Sequence, residues 1–259
     1  MSNTFFQFKE FIVHQEHTAM KVCTDACLFG AWVANDAYIT NAASILDIGT
    51  GTGLLSLMLA QSIAKNDSLK HGSTKISAIE IEYNAAAEAS RNTELSPWSE
   101  KIQIINSSIQ DFAASYQEDQ NNFNKQFDCI ISNPPFFEGD LQSPNSNKNL
   151  AAHSTALPWS DLLNIVGKLL KSEGAFYVLI PALRAYTMQK LANQNGIQLM
   201  EEVVVYNAAK QKPFRVFQKF IKSSSPLTKI MRSNFIIKNA DNSYTEAFTN
   251  LLKPYYLHL

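Results

Sequence analysis

Residues 44–53 constrain the fold more than any other segment, because an apolar run leads directly into a turn with three glycines. A helical pattern follows at residues 54–59. Glycine has no Cβ, so a bound cofactor can lie directly against the backbone of such a turn. The segment therefore predicts a strand, a cofactor-binding turn and a helix. Its candidate cofactor residues are Asp47, Gly49, Gly51 and Gly53.

The spacing of these glycines narrows the class of cofactor. It is Gly-x-Gly-x-Gly, whereas a dinucleotide site prefers Gly-x-Gly-x-x-Gly, and no Lys-Ser/Thr pair follows as in a P-loop. The next predicted strand ends in Glu80, whose carboxylate could accept hydrogen bonds from both hydroxyls of a ribose. After a third strand, Asp111 and Phe112 could contact an adenine amino group and its ring. Together these residues predict a pocket for a nucleoside-containing cofactor.

Short apolar runs alternate with helical patterns over most of the chain, which is typical of a mostly parallel sheet covered by helices. The predicted strands lie near residues 44–48, 75–80, 102–106, 127–132, 175–180 and 197–205. The predicted helices between them lie near residues 53–64, 84–93, 159–171 and 183–194. We expect an α/β fold with helices on both faces of the sheet and an antiparallel C-terminal edge. We also expect one domain, 1–259, with an N-terminal extension, 1–40, and a basic segment, 203–238.

Both ends of the chain are predicted to be structured. An alternating, strand-like pattern covers residues 5–13, and Thr24 is a good N-cap for a helix over residues 25–34. Toward the C-terminus, residues 213–222 and 233–238 are predicted to pair as a hairpin at the sheet edge.

A second motif, Asn-Pro-Pro-Phe-Phe at residues 133–137, follows the strand pattern of residues 127–132. The two prolines stiffen this turn and supply no N–H donors, so neighbouring carbonyls can accept hydrogen bonds without competition. The Asn133 side chain and the Pro134 backbone would each accept one N–H of an aromatic amine, which turns the nitrogen lone pair toward a methyl donor. The motif predicts a methyl-transfer site that works by orientation and polar stabilisation, without a protonated base. The predicted catalytic residues are Asn133, Pro134, Pro135 and Phe136, of which Phe136 would stack on the base.

The net charge of −1 hides an uneven distribution. Residues 1–149 hold 9 Lys/Arg against 17 Asp/Glu, while residues 150–259 hold 13 against 6. Within residues 203–238 there is no acidic residue, and phenylalanines lie between the basic ones. Such a segment suits a phosphate backbone, although a solvated strand face would have the same composition. The predicted RNA-contacting residues are Lys210, Lys212, Arg215, Lys219 and Lys222.

Other sequence features argue against a membrane protein, a fold stabilised by disulfides and a metal site. The apolar runs are strand-sized and the first residues show no signal-peptide pattern, so we expect a soluble cytoplasmic protein. Three cysteines are few and odd in number, which favours a reducing compartment. The histidines and cysteines at residues 14–27 lack the Cys-x2-Cys spacing of zinc sites. We expect a monomer without a bound metal ion. His153 could line the substrate entrance or be a solvent-exposed histidine, and its role stays open.

The order of the glycine turn, the strand-end Glu80 and the Asp111-Phe112 pair resembles that of class I S-adenosylmethionine-dependent methyltransferases, which have a Rossmann-like fold. The Asn-Pro-Pro-Phe motif resembles that of methyltransferases acting on adenine N6 and cytosine N4. More specifically, residues 8–32, 79–98 and 133–137 resemble the bacterial tRNA(Val) adenine-37 N6-methyltransferases.

This resemblance implies S-adenosylmethionine as the cofactor, tRNA as the partner, and N6-methylation of an adenine, at position 37 of tRNA(Val), as the activity. It also implies that Lys21, Thr24 and Asp25 cap the methionine side of the cofactor. Two alternatives stay open, because related motifs occur in ribosomal guanine-N2 methyltransferases and in protein-glutamine N5-methyltransferases. The basic segment argues against the second of these.

Overall fold

The computed structural model describes residues 3–18, 20–66, 74–118, 126–135 and 157–259. The strands are β1 (Phe5–Gln7), β2 (Ile12–His14), β3 (Ser44–Ile48), β4 (Lys75–Glu80), β5 (Ile102–Asn106), β6 (Phe127–Ser132), β7 (Leu170–Pro181), β8 (Gln198–Ala208), β9 (Arg215–Ile221) and β10 (Met231–Lys238). The helices are α1 (Thr24–Ala34), α2 (Ala37–Asn41), α3 (Leu54–Asn66), α4 (Tyr83–Glu94), α5 (Ile109–Glu118), α6 (Trp159–Leu169), α7 (Ala185–Gln194) and α8 (Glu246–Leu252).

Eight of these strands form one sheet, in the order β10-β8-β9-β7-β6-β3-β4-β5. All neighbours pair in parallel except β9, which is antiparallel to both β7 and β8. The predicted mostly parallel sheet with an antiparallel C-terminal part is therefore confirmed. The predicted bounds of β3, β4, β5 and β6 match the structure.

Helices cover both faces of this sheet. Successive side chains of a strand point to opposite faces, and β7 shows this clearly. Ala175, Tyr177 and Leu179 join a hydrophobic cluster with residues of α1 and α3. Phe176, Val178 and Ile180 join a second cluster with residues of α6 and α7. Because both faces are buried, the strands read as continuous apolar runs, as parallel sheets require.

The parallel register places the carboxyl ends of several strands side by side. Ile48 of β3 pairs with Ile79 of β4 and with Ser132 of β6. Ser132 in turn pairs with Val178 of β7. We call this side of the sheet the carboxyl edge. The glycine turn, Glu80 and Asn133 all lie along it.

The predicted hairpin between residues 213–222 and 233–238 is wrong. β9 lies between β7 and β8, and β10 pairs in parallel with β8 on the outer side. Phe217 and Phe220 of β9 are buried on the two faces, so this strand is part of the core rather than an edge ribbon. The sequence contains turn residues between the two segments, but turn residues do not determine which strands pair.

Two expectations for the N-terminal region also need correction. Residues 5–14 form a hairpin of β1 and β2, with Phe6 opposite Val13, rather than one continuous strand. Thr24 is the first residue of α1, and the N-cap position is Cys23, whose side chain makes no capping hydrogen bond. The helix therefore begins one residue earlier than predicted. No helix in the described ranges is long and apolar enough to cross a membrane.

A buried ion pair joins the segment after α1 to β9. The Nζ atom of Lys219 lies 2.6 Å from Oδ2 of Asp36, and Lys219 is only 4% exposed. The ammonium also lies 4.3 Å from the centroid of the Tyr38 ring. A cation enclosed in this way cannot also neutralise an RNA phosphate at the surface. The assignment of Lys219 to the RNA-contacting set is corrected accordingly.

We predict that Lys219→Ala lowers the free energy of unfolding by about 3–5 kcal/mol, because it leaves the Asp36 carboxylate largely buried without its partner. Urea denaturation followed by circular dichroism measures the change. Lys212→Ala is the matched control, since Lys212 is exposed, and should alter stability by less than about 0.5 kcal/mol. Equal small effects of both substitutions would contradict a structural role for the pair.

Candidate active site

The glycine turn after β3 is open on its outer side. Gly49, Gly51 and Gly53 all have positive φ angles, of 72°, 57° and 81°. A Cβ built on Gly49 or Gly51 would meet no heavy atom within 4 Å, whereas one on Gly53 would lie 3.6 Å from the Cβ of Ala89 in α4. The first two glycines therefore border free space that a ligand could occupy, and the third allows close packing of the turn against α4.

Asp47 holds this turn from inside. Its Oδ2 atom accepts hydrogen bonds from the hydroxyls of Thr50 and Ser56, both at 2.7 Å. The side chain is fully buried, and this burial raises the pKa of Asp47 to about 6, against the opposing effect of the two hydroxyls. Oδ1 of Asp47 has no hydrogen-bond partner among the described residues. Asp47 thus fixes the turn and leaves one buried acceptor unsatisfied.

Glu80, at the end of β4, also contacts the turn. Its Oε2 atom accepts a hydrogen bond from the backbone N–H of Gly51 at 2.9 Å, and its Oε1 atom accepts one from Glu82 at 2.9 Å. Glu80 is 9% exposed. A carboxylate offers about four acceptor positions, so each oxygen retains capacity for a further donor. This arrangement fits the predicted role of Glu80 in receiving two hydroxyls.

Asp111 and Phe112 begin α5, beyond the end of β5. The Asp111 carboxylate accepts a hydrogen bond from the Ser108 hydroxyl, which itself accepts one from the Asp111 backbone N–H. The Ser108 hydroxyl thus caps one backbone N–H in the first turn of α5, and the Asp111 carboxylate orients that hydroxyl. The ring of Phe112 is 8% exposed and packs against Tyr116 and Phe127. The Asp111 carboxylate is therefore partly engaged by Ser108, and Phe112 is mainly a core residue.

Asn133 follows β6 at the carboxyl edge, next to the glycine turn. Ser132 ties the two strands together, because its hydroxyl donates to the Ile48 carbonyl at 2.9 Å. The Oδ1 atom of Asn133 is buried and accepts no hydrogen bond from any part of the chain that the structure describes. Pro134 is buried and Pro135 is exposed. Phe136 and His153 lie outside the described residues. An N–H group of a ligand would satisfy the Asn133 oxygen.

The three residues predicted to cap the cofactor lie at or before the start of α1. Lys21 is exposed, and its ammonium donates to the Asn3 carbonyl. Thr24 is exposed. Asp25 forms an ion pair with Arg215, with 2.7 Å between Oδ2 and Nε. The structure therefore joins a predicted cofactor residue to a predicted RNA residue and partly neutralises both.

Sequence reasoning assigned no role to two buried polar residues of α4. The Asn92 side chain accepts from the His14 N–H and donates to the carbonyls of His14 and Thr52, at 2.8, 2.9 and 3.0 Å. Glu88, one turn earlier, accepts hydrogen bonds from the N–H groups of Glu16 and His17. These contacts hold residues 14–17 beside the glycine turn. The signal was a pair of polar residues four apart on an alanine-rich helix.

The basic residues divide between the two edges of the sheet. Lys210 and Lys212 are exposed in the connection from β8 to β9, at the carboxyl edge. Lys222 lies at the opposite edge, where its ammonium donates to the carbonyls of Gly167 and Leu170 at the end of α6. Lys222 is thus a helix-capping residue away from the site, which corrects its assignment to the RNA-contacting set. In the described ranges no group of three or more His, Cys, Asp or Glu residues could hold a metal ion.

Comparison with known proteins gives the family. A family model described as the methyltransferase small domain matches residues 34–217. A tRNA1(Val) (adenine(37)-N6)-methyltransferase from Cytophaga hutchinsonii is 38% identical over 259 residues, which cover 100% of both chains. A protein of the same name from Dyadobacter fermentans is 36% identical over 256 residues, or 98% of both chains.

Solved structures show the same fold at low sequence identity. A protein described as an O-methyltransferase, from Agrobacterium tumefaciens, has a TM-score of 0.61 at 16% identity and covers 89% of this chain and 96% of its own. A protein described as a class I S-adenosylmethionine-dependent methyltransferase, from Listeria monocytogenes, has a TM-score of 0.57 at 14% identity. The match covers 90% of this chain and 71% of the Listeria chain. The expected Rossmann-like class I fold is confirmed.

Asp47 should give the protein a characteristic pH dependence. The folded chain retains the Asp47 proton up to a pKa of about 6, whereas the unfolded chain loses it near 3.8. Between these values the folded state binds more protons at Asp47, so the contribution of Asp47 to the free energy of unfolding should fall as the pH rises, by up to about 1.4 kcal/mol per pH unit. Urea denaturation at several pH values should show this fall as the difference between the wild type and Asp47→Asn, which cannot ionise. Identical pH dependence in both proteins would refute this pKa.

Proposed function

Because the chain belongs to the family of tRNA1(Val) (adenine(37)-N6)-methyltransferases, we propose that it transfers a methyl group from S-adenosylmethionine to N6 of adenine-37 in tRNA1(Val). The observation that carries this proposal is the buried, unsatisfied Oδ1 atom of Asn133 at the carboxyl edge. It lies after β6, the strand that pairs with β3 and its glycine turn. An acceptor oxygen and an open cofactor turn therefore occupy neighbouring positions.

The residues of the turn fit the cofactor. Gly49 and Gly51 border free space where any side chain would intrude, and Glu80 can accept further hydrogen bonds from ribose hydroxyls. The buried Oδ1 atom of Asp47 is a further unsatisfied acceptor below the turn. When bound, S-adenosylmethionine supplies an electrophilic methyl group on a sulfonium. We assign Lys21, Thr24, Asp25, Asp111 and Phe112 to the same pocket as its outer residues, with Asp25 held by Arg215.

The residues after β6 would prepare the amine. An exocyclic amine is a poor nucleophile while its lone pair is delocalised into the ring. By accepting its two N–H groups, the Asn133 side chain and the Pro134 carbonyl would draw the nitrogen toward a pyramidal geometry. After methyl transfer the nitrogen is cationic and can release its extra proton to water, so the site needs no side chain acting as a general base. Pro135 stiffens the turn, and we assign Phe136 to stacking on the adenine. The rate gain comes from orientation and fixed polar groups.

Two lysines remain as the main candidates for phosphate contacts. Lys210 and Lys212 are exposed at the carboxyl edge, and no ion pair engages them within the described ranges. Arg215 lies beside them but is paired with Asp25, so it would bind a phosphate only by sharing its guanidinium. We propose that these three residues hold the anticodon arm while adenine-37 is extruded from its loop. A tRNA substrate would place the enzyme in the cytoplasm.

Methyl transfer from labelled cofactor to tRNA, ribosomal RNA and a peptide release factor, measured in parallel, tests the proposed function. We expect label in tRNA, at adenine-37 of tRNA1(Val). Label only in ribosomal guanine or only in protein glutamine would replace the proposal by one of the two alternatives.

Within this assay, Asn133→Ala should lower turnover about 10²–10³-fold, the usual cost of removing one preorganised polar group. The affinity for the cofactor, measured by calorimetry, should stay unchanged. Asn164→Ala is the matched control, because Asn164 is exposed on α6. Near-normal turnover of Asn133→Ala with saturating tRNA would show that Asn133 is only a turn residue.

The affinity for tRNA should fall steeply with salt, because each neutralised phosphate releases counterions. The slope of log affinity against log salt should become shallower by about 0.7–0.9 for each of Lys210 and Lys212 replaced by Ala. The control is Lys168→Ala with Lys229→Ala, which removes the same charge from exposed positions at the opposite edge. A slope that changes in the control pair and not in the test pair would place the RNA surface at that opposite edge.

A further inference from the structure

Two large apolar side chains are unusually exposed just after β7. Leu183 is 91% exposed and Tyr186 is 77% exposed, the highest values among the large hydrophobic residues that the structure describes. Leu183 lies in the 3-10 turn Ala182–Arg184, and Tyr186 lies in the first turn of α7. Residues three apart in a helical turn share one side. We call this pair the Leu183-Tyr186 platform.

The platform lies next to the proposed catalytic residue. β7 is the neighbour of β6, and adjacent strands are about 4.8 Å apart. Asn133 directly follows β6, and Leu183 comes two residues after the end of β7. The register pairs Ser132 with Val178, and β7 continues three residues beyond that level to Pro181. The platform therefore lies on the strand neighbouring Asn133, further out along the strand direction and on the side away from the glycine turn. A nucleotide beside a base held at Asn133 would reach this position.

The surroundings of the platform are basic. No acidic residue occurs at residues 174–200, which include the platform and α7. The N–H of Ala182 donates to the Phe214 carbonyl, so the platform directly adjoins the connection that carries Lys210 and Lys212. Glu202, the nearest acid on β8, is engaged by Gln218 and Arg232. An exposed aromatic and aliphatic pair beside exposed lysines is complementary to a nucleic acid, which combines base faces with phosphates.

An exposed aromatic and aliphatic pair could also lower the free-energy cost of extruding one base from the loop. When a nucleotide leaves the stack, its neighbours lose a stacking partner, which is part of the cost of extrusion. Aromatic side chains can restore that stacking, and apolar side chains can fill the gap as a wedge. Neither Leu183 nor Tyr186 is used by the cofactor pocket or by the Asn133 site.

We propose that the Leu183-Tyr186 platform binds the anticodon-loop nucleotide that flanks the extruded adenine, with Tyr186 stacking on its base and Leu183 filling the vacated space. This inference rests on the proposed function and adds two substrate-contacting residues to it. It assigns recognition of the neighbouring base to the platform and recognition of phosphates to Lys210 and Lys212. The two contributions differ in their response to salt, because stacking releases no counterions.

The test uses the complete enzyme and tRNA1(Val) transcripts carrying 2-aminopurine at one or the other neighbour of nucleotide 37. Stacking of the Tyr186 ring on the probe should quench its fluorescence. For Tyr186→Ala we expect the quenching to disappear and the KM for tRNA to rise on the order of tenfold, the size of one base–aromatic stack. The salt slope and the cofactor affinity should not change. Tyr186→Phe, which keeps the ring, should bind tRNA within about twofold of the wild type, and Leu183→Ala should raise the KM without abolishing the quenching.

Leu95→Ala is the matched control, because Leu95 is 66% exposed but lies at the far end of α4, about 18 Å from the carboxyl edge at 1.5 Å per residue. Its KM should equal that of the wild type. A KM and quenching for Tyr186→Ala equal to those of the wild type would overturn the platform while the wild type still methylates tRNA. Absence of methylation by the wild type itself would instead refute the proposed function.

Discussion

The parallel pairing of β3 with β4 on one side and β6 on the other is the constraint on which the site depends. It aligns Ile48 with Ile79 and Ser132, so the chain leaves all three strands at the same level of the sheet. The glycine turn, Glu80 and Asn133 then become neighbours although they are far apart in sequence. A slip of one residue in either pairing would exchange the faces of every side chain in the strand. Burial of both faces makes such a slip costly, and the hydrophobic core thereby sets the geometry of the polar site.

An element could be predicted from the sequence where its own residues determine it, and could not where contacts with distant residues determine it. Residues of β3 to β6 are apolar because both faces are covered, and short polar segments bound them, so their limits could be read directly. The pairing of β9 could not be predicted in this way, because the position of β9 between β7 and β8 depends on long-range contacts that bury Phe217 and Phe220. The exact start of α1 depends on Cys23 in the N-cap position, where Thr24 has the stronger capping propensity.

The same distinction applies to the site. The glycine turn and the Asn-Pro-Pro turn have local signatures, so the sequence predicted a cofactor pocket at the first and a methyl-transfer site at the second. A run of basic residues has no such signature, because a lysine in an ion pair and a lysine in solvent look alike in sequence. Lys219 is neutralised by Asp36 and Lys222 caps α6, whereas Lys210 and Lys212 are exposed. Asn92 could not be assigned either, since its partners at His14 and Thr52 come from two distant segments.

The buried unpaired oxygens connect the stability of the fold to its function. Within the described ranges, Oδ1 of Asp47 and Oδ1 of Asn133 are both buried without a donor, and each such atom costs about 1–3 kcal/mol. Both atoms lie at the carboxyl edge, one beneath the glycine turn and one after β6. A core selected for stability alone would pair them, as Asp128 is paired by Lys171 and by the backbone of residues 43–44 at the opposite edge. Buried unpaired atoms also occur outside the site, for example Oε1 of Gln61 in α3. Oδ1 of Asn133 differs from these because it lies at the carboxyl edge beside the open glycine turn, where an N–H group of a ligand could satisfy it and recover the free energy of a hydrogen bond.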